Sequence, residues 1–165
     1  MSSMNSGNCL ADATKADSAL FRTAICYLLS GEACHAYTCL DRMTREGYAI
    51  AYNKALCCYL AAAYKDCFDM LCQAERLLPH NMPRSSKPLP KELSRWEFNE
   101  SPPFCPMPED APPDIARIQF LRLKAETAGK LGLAEEVKRI ASGLNGGYLH
   151  IKNLMNKTPT SHDDL

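Results

Sequence analysis

Nine cysteines are the residues of this 165-residue chain with the most chemical potential. Thiolates bind zinc, form disulfides or act as redox nucleophiles, and the metal-binding and redox motifs have characteristic spacings. No Cys-x-x-Cys pair occurs, and Cys34 and Cys39, like Cys67 and Cys72, are five residues apart. On a helix that spacing points the two side chains in different directions. The pattern therefore does not favour a metal site.

The cysteines are expected to be reduced and to pack as small apolar side chains. Their number is odd, and residues 1–15 are polar and small, without the apolar stretch of a signal peptide. Cys26, Cys57 and Cys67 fall on inward helix faces, so we expect these three to be buried and unreactive.

The other titratable residues form no catalytic pattern. The four histidines, His35, His80, His150 and His162, lie in unrelated contexts and are expected on the surface. Phosphate-binding glycine loops, zinc-protease motifs and nucleophile elbows are absent from the sequence. The adjacent Glu135 and Glu136 suit the first turn of a helix, where the helix dipole favours acids. We expect a protein that is not an enzyme and uses no cofactor.

The charge balance gives no sign of a nucleic-acid or membrane partner. Nineteen basic and nineteen acidic side chains give a net charge of zero, so no basic footprint for nucleic acid or anionic lipid stands out. The longest apolar run, residues 55–64, is far shorter than the ~20 residues that span a bilayer. The sequence predicts a soluble, cytoplasmic protein.

The clearest sequence pattern is an internal repeat with an offset of thirty-one residues between residues 23–43 and 54–74. A fixed period in the thirties is typical of stacked helix–turn–helix units, because one such unit cannot bury its apolar face alone. The matched pairs include Ala24 with Ala55, Cys26 with Cys57, Leu29 with Leu60, Tyr37 with Phe68, and Leu40 with Leu71.

Apolar residues at intervals of three and four predict an all-α fold. The first helix is expected to begin at Asp17 as its N-cap, after a disordered arm over residues 1–16. One helical domain then covers residues 17–157, and residues 158–165 form a flexible tail. The predicted order is two helical hairpins, a proline-rich insert, a third hairpin and a short capping helix. The breaks between helices fall near Gly31, Gly47, Ala62, Pro79 and Gly132.

The insert spans residues 79–113 and holds ten of the eleven prolines. Proline fixes φ and lacks an N–H donor, so loop or polyproline II structure is expected. Disordered linkers are poor in aromatic residues, yet this segment carries Trp96, Phe98 and Phe104. We therefore expect the insert to be at least partly ordered against the helices. It could fill the groove as a built-in pseudo-ligand or extend the binding surface.

These features resemble the tetratricopeptide repeat family, whose pattern alternates large, small and aromatic residues in each helical pair. In the second unit Asn53 and Ala55 match a frequent Asn-x-Gly of the family, and Tyr64 opens the second helix. The small, large, small and proline positions that follow are filled by Cys67, Leu71, Ala74 and Pro79. The first unit supplies Leu20, Ala24, Tyr27, Gly31, Ala36 and Leu40, and the third Leu121, Ala125, Gly132, Val137, Ala141 and Leu144.

The resemblance implies a right-handed superhelix of about three TPR-like hairpins whose first helices line a concave groove. Such a stack binds a partner peptide or helix. By position, the groove residues are Phe21, Ile25, Leu28, Tyr52, Asn53, Leu56, Tyr59, Arg122, Glu126 and Lys130. The basic members Arg122 and Lys130 would favour a ligand with an acidic end.

Two alternative functions remain open from the sequence. A small secretion-type chaperone for a dedicated client would have a similar size and number of repeats. A cysteine-based redox or metal sensor belongs to a different class, and a thiol titration with and without denaturant would distinguish it. The identity of a protein partner does not follow from the sequence.

Overall fold

The computed structural model describes residues 6–78, 100–144 and 147–157, with side chains from Ala13 onward. Within these ranges the protein is all-α, as the sequence predicts, with seven α-helices and no strand. The helices are α1 Ser6–Leu29, α2 Ala33–Asp41, α3 Tyr48–Leu60, α4 Tyr64–Ala74, α5 Pro113–Lys130, α6 Ala134–Gly143 and α7 Leu149–Lys157. A 3₁₀ turn, Glu75–Leu77, extends α4.

Consecutive helices pack against one another along the chain. α1 pairs with α2, α3 with α4, and α5 with α6, while α2 lies on α3, α4 on α5, and α7 against α5 and α6. A turn of three residues joins the partners of each pair, so the two helices must reverse direction. The predicted order of two hairpins, a third hairpin after the insert and a final short helix is present.

The three hairpins turn in the same way. Gly31, Ala62 and Gly132 have positive φ values of 81°, 59° and 71°. In each turn this residue's N–H bonds to the carbonyl three residues back, and the next N–H bonds five residues back. This is the Schellman arrangement, in which a left-handed residue satisfies the last carbonyls of a helix. The third hairpin thus repeats the first two, although the insert separates it from them.

Small buried residues recur at the same places in each hairpin. The first helices carry Ala24, Ala55 and Ala125, and the second helices carry Ala36, Cys67 and Val137, all with 0% exposure. Side chains of this size allow two helices to approach closely, which explains why the thirty-one-residue echo is visible in the sequence.

Asp17 does not cap α1, so the prediction of its role is wrong. The helix begins at Ser6, and residues 6–16, expected to be disordered, are helical. Asp17 lies within the helix and is buried. Its carboxylate accepts hydrogen bonds from the N–H and Oγ1 of Thr44 and from the N–H of Arg45, at 2.9–3.2 Å. The backbone bond from Thr44 outweighs burial and holds the pKa of Asp17 below its ordinary value. Asp17 has a side chain that could cap a helix, but in this structure it stabilises the turn between α2 and α3.

Two of the three cysteines expected in the interior are there. Cys57 and Cys67 are buried, whereas Cys26 is exposed, so that part of the prediction is wrong. Cys57 lies on α3, against which α2 packs, and it lines a pocket together with Tyr37 of α2. Cys26 occupies the matching place in the first hairpin, and no earlier helix among the described residues covers it.

Candidate functional site

Residues 101–111, at the end of the insert, lie across α3 and are called the docked segment. Tyr48 donates a hydrogen bond to the carbonyl of Ala111 at 2.7 Å, and Tyr52 donates to the carbonyl of Pro103 at 2.9 Å. The Tyr52 hydroxyl also lies 3.4 Å from the carbonyl of Cys105. Because the earlier residues of the segment meet the later residue of α3, the segment runs antiparallel to the helix. The insert is therefore docked over this part, as expected.

Asn53 makes the most specific contact with the docked segment. Its side-chain N–H₂ donates to the carbonyl of Met107, and its Oδ1 accepts from the N–H of Met107, both at 2.8 Å. Asn53 has 0% exposure and Met107 has 4%. The amide side chain thus pairs with one residue's main chain as a neighbouring β-strand would. Met107 lies between Pro106 and Pro108, neither of which has an N–H to offer.

Aromatic side chains flank these hydrogen bonds. Phe104 of the docked segment stacks on Tyr59, with ring centroids 5.0 Å apart and an interplanar angle of 28°. Tyr52 packs against Phe120 of α5 at 5.4 Å in a tilted arrangement. Positions 48, 52 and 59 share one face of α3 because they differ by four and seven residues. That face and α5 together form the floor on which the segment lies.

Charged groups meet both ends of the docked segment. Arg45, in the turn before α3, pairs with Glu109, and Arg122 of α5 donates to the carbonyl of Ser101. Arg122 is almost completely buried, and burial lowers the pKa of its guanidinium. The same group lies over the ring of Tyr148, 5.3 Å from its centroid.

Glu126 connects α5 to α3 and α7 at the edge of this surface. Its Oε1 accepts a hydrogen bond from the hydroxyl of Tyr59 at 3.2 Å, and its Oε2 lies 2.7 Å from Nε2 of His150. Burial raises the pKa of Glu126, but the His150 and Tyr59 hydrogen bonds hold it below its ordinary value. Burial and the neighbouring Glu126 raise the pKa of Tyr59. His150 is 4% exposed, so its expected surface position is wrong.

The ten residues predicted to line a groove occupy different environments. Tyr52, Asn53 and Arg122 hydrogen-bond to the docked segment, Tyr59 stacks on it, and Glu126 holds Tyr59. Lys130 is exposed beside a cavity of about 360 Å³. The apolar members Phe21, Leu28 and Leu56 are buried in the core, with Ile25 half-buried against it. Binding of a partner by this set stays a prediction.

Several residues that form the contact between the docked segment and the helices were not singled out from the sequence. Tyr48 carried a usable signal, since it lies four residues before Tyr52 on the same helix face. Arg45, Met107 and Phe120 had none, because their roles depend on where the insert lies. Trp96 and Phe98, expected as further anchors of the insert, lie outside the described residues.

The buried Cys57 and Cys67 do not have the properties of reactive or metal-binding thiols. Burial raises the pKa of the Cys57 thiol to about 12 and that of Cys67 to about 11. A raised pKa depletes the thiolate, which is the nucleophile and the metal ligand. Across residues 13–78, 100–144 and 147–157, no cluster of three or more His, Cys, Asp or Glu side chains could hold a metal ion.

None of the described helices combines the length and the apolar character needed to cross a bilayer. Comparison of the chain with protein-family models found no match. Comparisons with curated proteins and with solved structures also found none.

Proposed function

We propose that this protein is a non-enzymatic interaction module that holds an extended segment of a partner protein along α3 and α5. The observation that carries the proposal is the pairing of Asn53 with the main chain of Met107. A buried amide that bonds both main-chain groups of one residue recognises an extended backbone rather than a particular side chain. Tyr48 and Tyr52 add further bonds to main-chain carbonyls.

The TPR-like arrangement is part of this proposal. Three hairpins with the same left-handed turn residue and the same small buried positions support a repeating stack. In such a stack α1, α3 and α5 would line the concave side of a right-handed superhelix. The docked segment lies on two of these three helices, which is where a partner peptide would bind.

Binding, rather than catalysis, suits the polar groups of this surface. The hydroxyls of Tyr48 and Tyr52 and the amide of Asn53 are all engaged by main-chain atoms. Burial raises the pKa of the Cys57 and Cys67 thiols, which keeps them in the protonated form. Nine cysteines in odd number suit a reducing compartment, so we also place the protein in the cytosol.

The experiment compares three forms of the full chain as bait in the cells that produce it. The first is the native chain, and the second is Met107→Asp, which puts a charge into the buried Met107 site and releases the docked segment. The third adds Asn53→Leu to Met107→Asp. Far-UV circular dichroism of each form checks that helix content is retained.

We expect the Met107→Asp form to enrich one set of proteins over the native chain, and Asn53→Leu to remove that enrichment. Cross-linking from a photoreactive residue placed at Tyr59, the α3 residue on which Phe104 stacks, should then join the captured protein to α3. If the same proteins are captured whether or not Asn53 is present, binding occurs on another surface and the proposal fails.

A further inference from the structure

We infer that the partner segment carries the pattern aromatic–any–Pro–apolar–Pro–acidic, as residues 104–109 of this chain do, and that these residues compete with it for the same surface. This inference rests on the proposed function and adds the chemistry of the ligand. The aromatic, apolar and acidic positions of the pattern each correspond to a contact on α3 or in the turn before α3.

The aromatic position is set by Tyr59. Phe104 stacks on this ring, which is itself held in place by Glu126 and by contact with Tyr64 at 5.2 Å. Phe104 keeps 39% of its surface exposed, so the site is an open shelf rather than a closed pocket. A shelf of this kind accepts any flat ring. By contrast, Cys105 is exposed, and its side chain should not affect binding.

The central apolar position is set by Asn53 and the buried site around Met107. The residue there must supply an N–H to Asn53, so proline is excluded at this place. Its side chain must be apolar because it has only 4% exposure. Pro106 and Pro108 restrict the residues before them, Cys105 and Met107, to extended conformations, which lowers the entropy lost on docking.

The acidic position is set by Arg45. This side chain pairs with Glu109, two residues after Met107, and its Nε also lies 4.0 Å from Asp17. Asp17 and the turn it binds therefore orient Arg45 towards the ligand. An acid at this place fixes the direction of the ligand, because reversal of the chain would bring the aromatic residue to Arg45.

The docked segment belongs to the same chain as the surface that it covers on α3 and α5. Its effective concentration at that surface is therefore of the order of millimolar. A free ligand of the same pattern binds in proportion to the fraction of molecules whose segment is released. The native chain should therefore bind such a ligand weakly, and any change that releases the segment should strengthen binding.

The test uses a C-terminally amidated peptide of residues 101–111 whose N-terminal amine carries a fluorophore, measured by fluorescence anisotropy. The proteins are the native chain and the full chain with Phe104→Ala and Met107→Asp. We expect the double variant to bind the peptide at least tenfold more tightly than the native chain does. Replacing the peptide's Met107 by N-methyl-methionine should weaken binding at least tenfold, since a methyl group then replaces the N–H that donates to Asn53.

A double-mutant cycle tests the acidic position. The peptide change Glu109→Gln should weaken binding several-fold to the double variant, and should have little effect once the protein also carries Arg45→Gln. The peptide change Cys105→Ser is the matched control and should leave affinity unchanged.

Absence of peptide binding to a double variant that keeps its helix content would overturn the recognition pattern. Equal binding by the native chain and the double variant would overturn the competition. Neither result touches the proposed function, which depends on Asn53-dependent capture of a cellular protein. Conversely, selective peptide binding together with Asn53-independent capture would refute the proposed function and leave the pattern intact.

Discussion

Asn53 and Met107 are fifty-four residues apart in sequence, and they pair through two hydrogen bonds of 2.8 Å in the interior of the protein. This amide–main-chain pair fixes the register of the docked segment on α3. It satisfies the one main-chain N–H between two prolines, and it places the Met107 side chain in the core.

Asn53→Leu is expected to destabilise the protein by about 2–4 kcal/mol, because the N–H and C=O of Met107 lose their partners while buried. Urea denaturation followed by circular dichroism measures this loss. Met107→Leu is the matched control, since it keeps the main-chain pair and nearly the same volume, and should cost less than about 1.5 kcal/mol. A similar loss for both variants would mean that side-chain packing, not the amide pair, holds the segment.

The helices and their order could be predicted because periodic apolar residues and glycine or proline breaks act locally. Tyr52 and Tyr59 could likewise be placed on one helix face from their spacing of seven residues, whereas Asn53 was singled out by the family resemblance. The register of the docked segment could not, since a proline-rich segment has no period, and the burial of Met107 depends on a distant helix.

Asp17 and His150 show the same limit. An acid before an apolar run is a good cap signal, but Asp17 binds the backbone of a turn twenty-seven residues away. The sequence around His150 predicts a surface residue, because the sequence does not show that α7 packs with His150 against Glu126.

Ala62→Gly is expected to stabilise the protein by about 0.5–1 kcal/mol, because alanine is strained at positive φ and glycine is not. Ala62 has a φ of 59° at the turn position that Gly31 and Gly132 fill in the other hairpins. Thermal unfolding measures the change. Gly31→Ala is the reverse substitution and should destabilise by about 1 kcal/mol, since no neighbour lies near its added Cβ and only backbone strain acts. A lower melting temperature for Ala62→Gly would contradict the assignment of strain.

Thiol reagents should separate the cysteines into two classes at pH 8. The exposed Cys26, Cys34 and Cys105 should react within minutes, whereas Cys57 and Cys67 should react only as the protein unfolds. With a pKa of about 11, the Cys67 thiolate fraction is on the order of one in a thousand at that pH, and burial blocks access as well. Mass spectrometry of labelled peptides assigns each thiol, and Cys26→Ser serves as a control that removes one fast site. Fast labelling of Cys67 in the folded protein would support the redox-sensor alternative.

Acid should weaken the contact of α5 with α3 and α7 through Glu126. Its pKa in the folded protein lies below the ordinary value of 4.5, so its ionised form stabilises the fold. This contribution is complete above the ordinary value and is lost as the pH falls through the lower, folded value. We expect Glu126→Gln to cost about 1 kcal/mol at neutral pH and to flatten the fall in stability below about pH 4.5.

Urea denaturation between pH 3 and pH 7 measures this dependence, with Glu135→Gln as the matched control. The Glu135 side chain is 87% exposed and pairs with Lys138, three residues further along α6. Its replacement should leave the acid limb of the stability curve unchanged, because an exposed pair contributes little. If Glu126→Gln and Glu135→Gln gave the same curve, the hydrogen bonds from Tyr59 and His150 would not be stabilising the charged form of Glu126, and another carboxylate would account for the acid sensitivity.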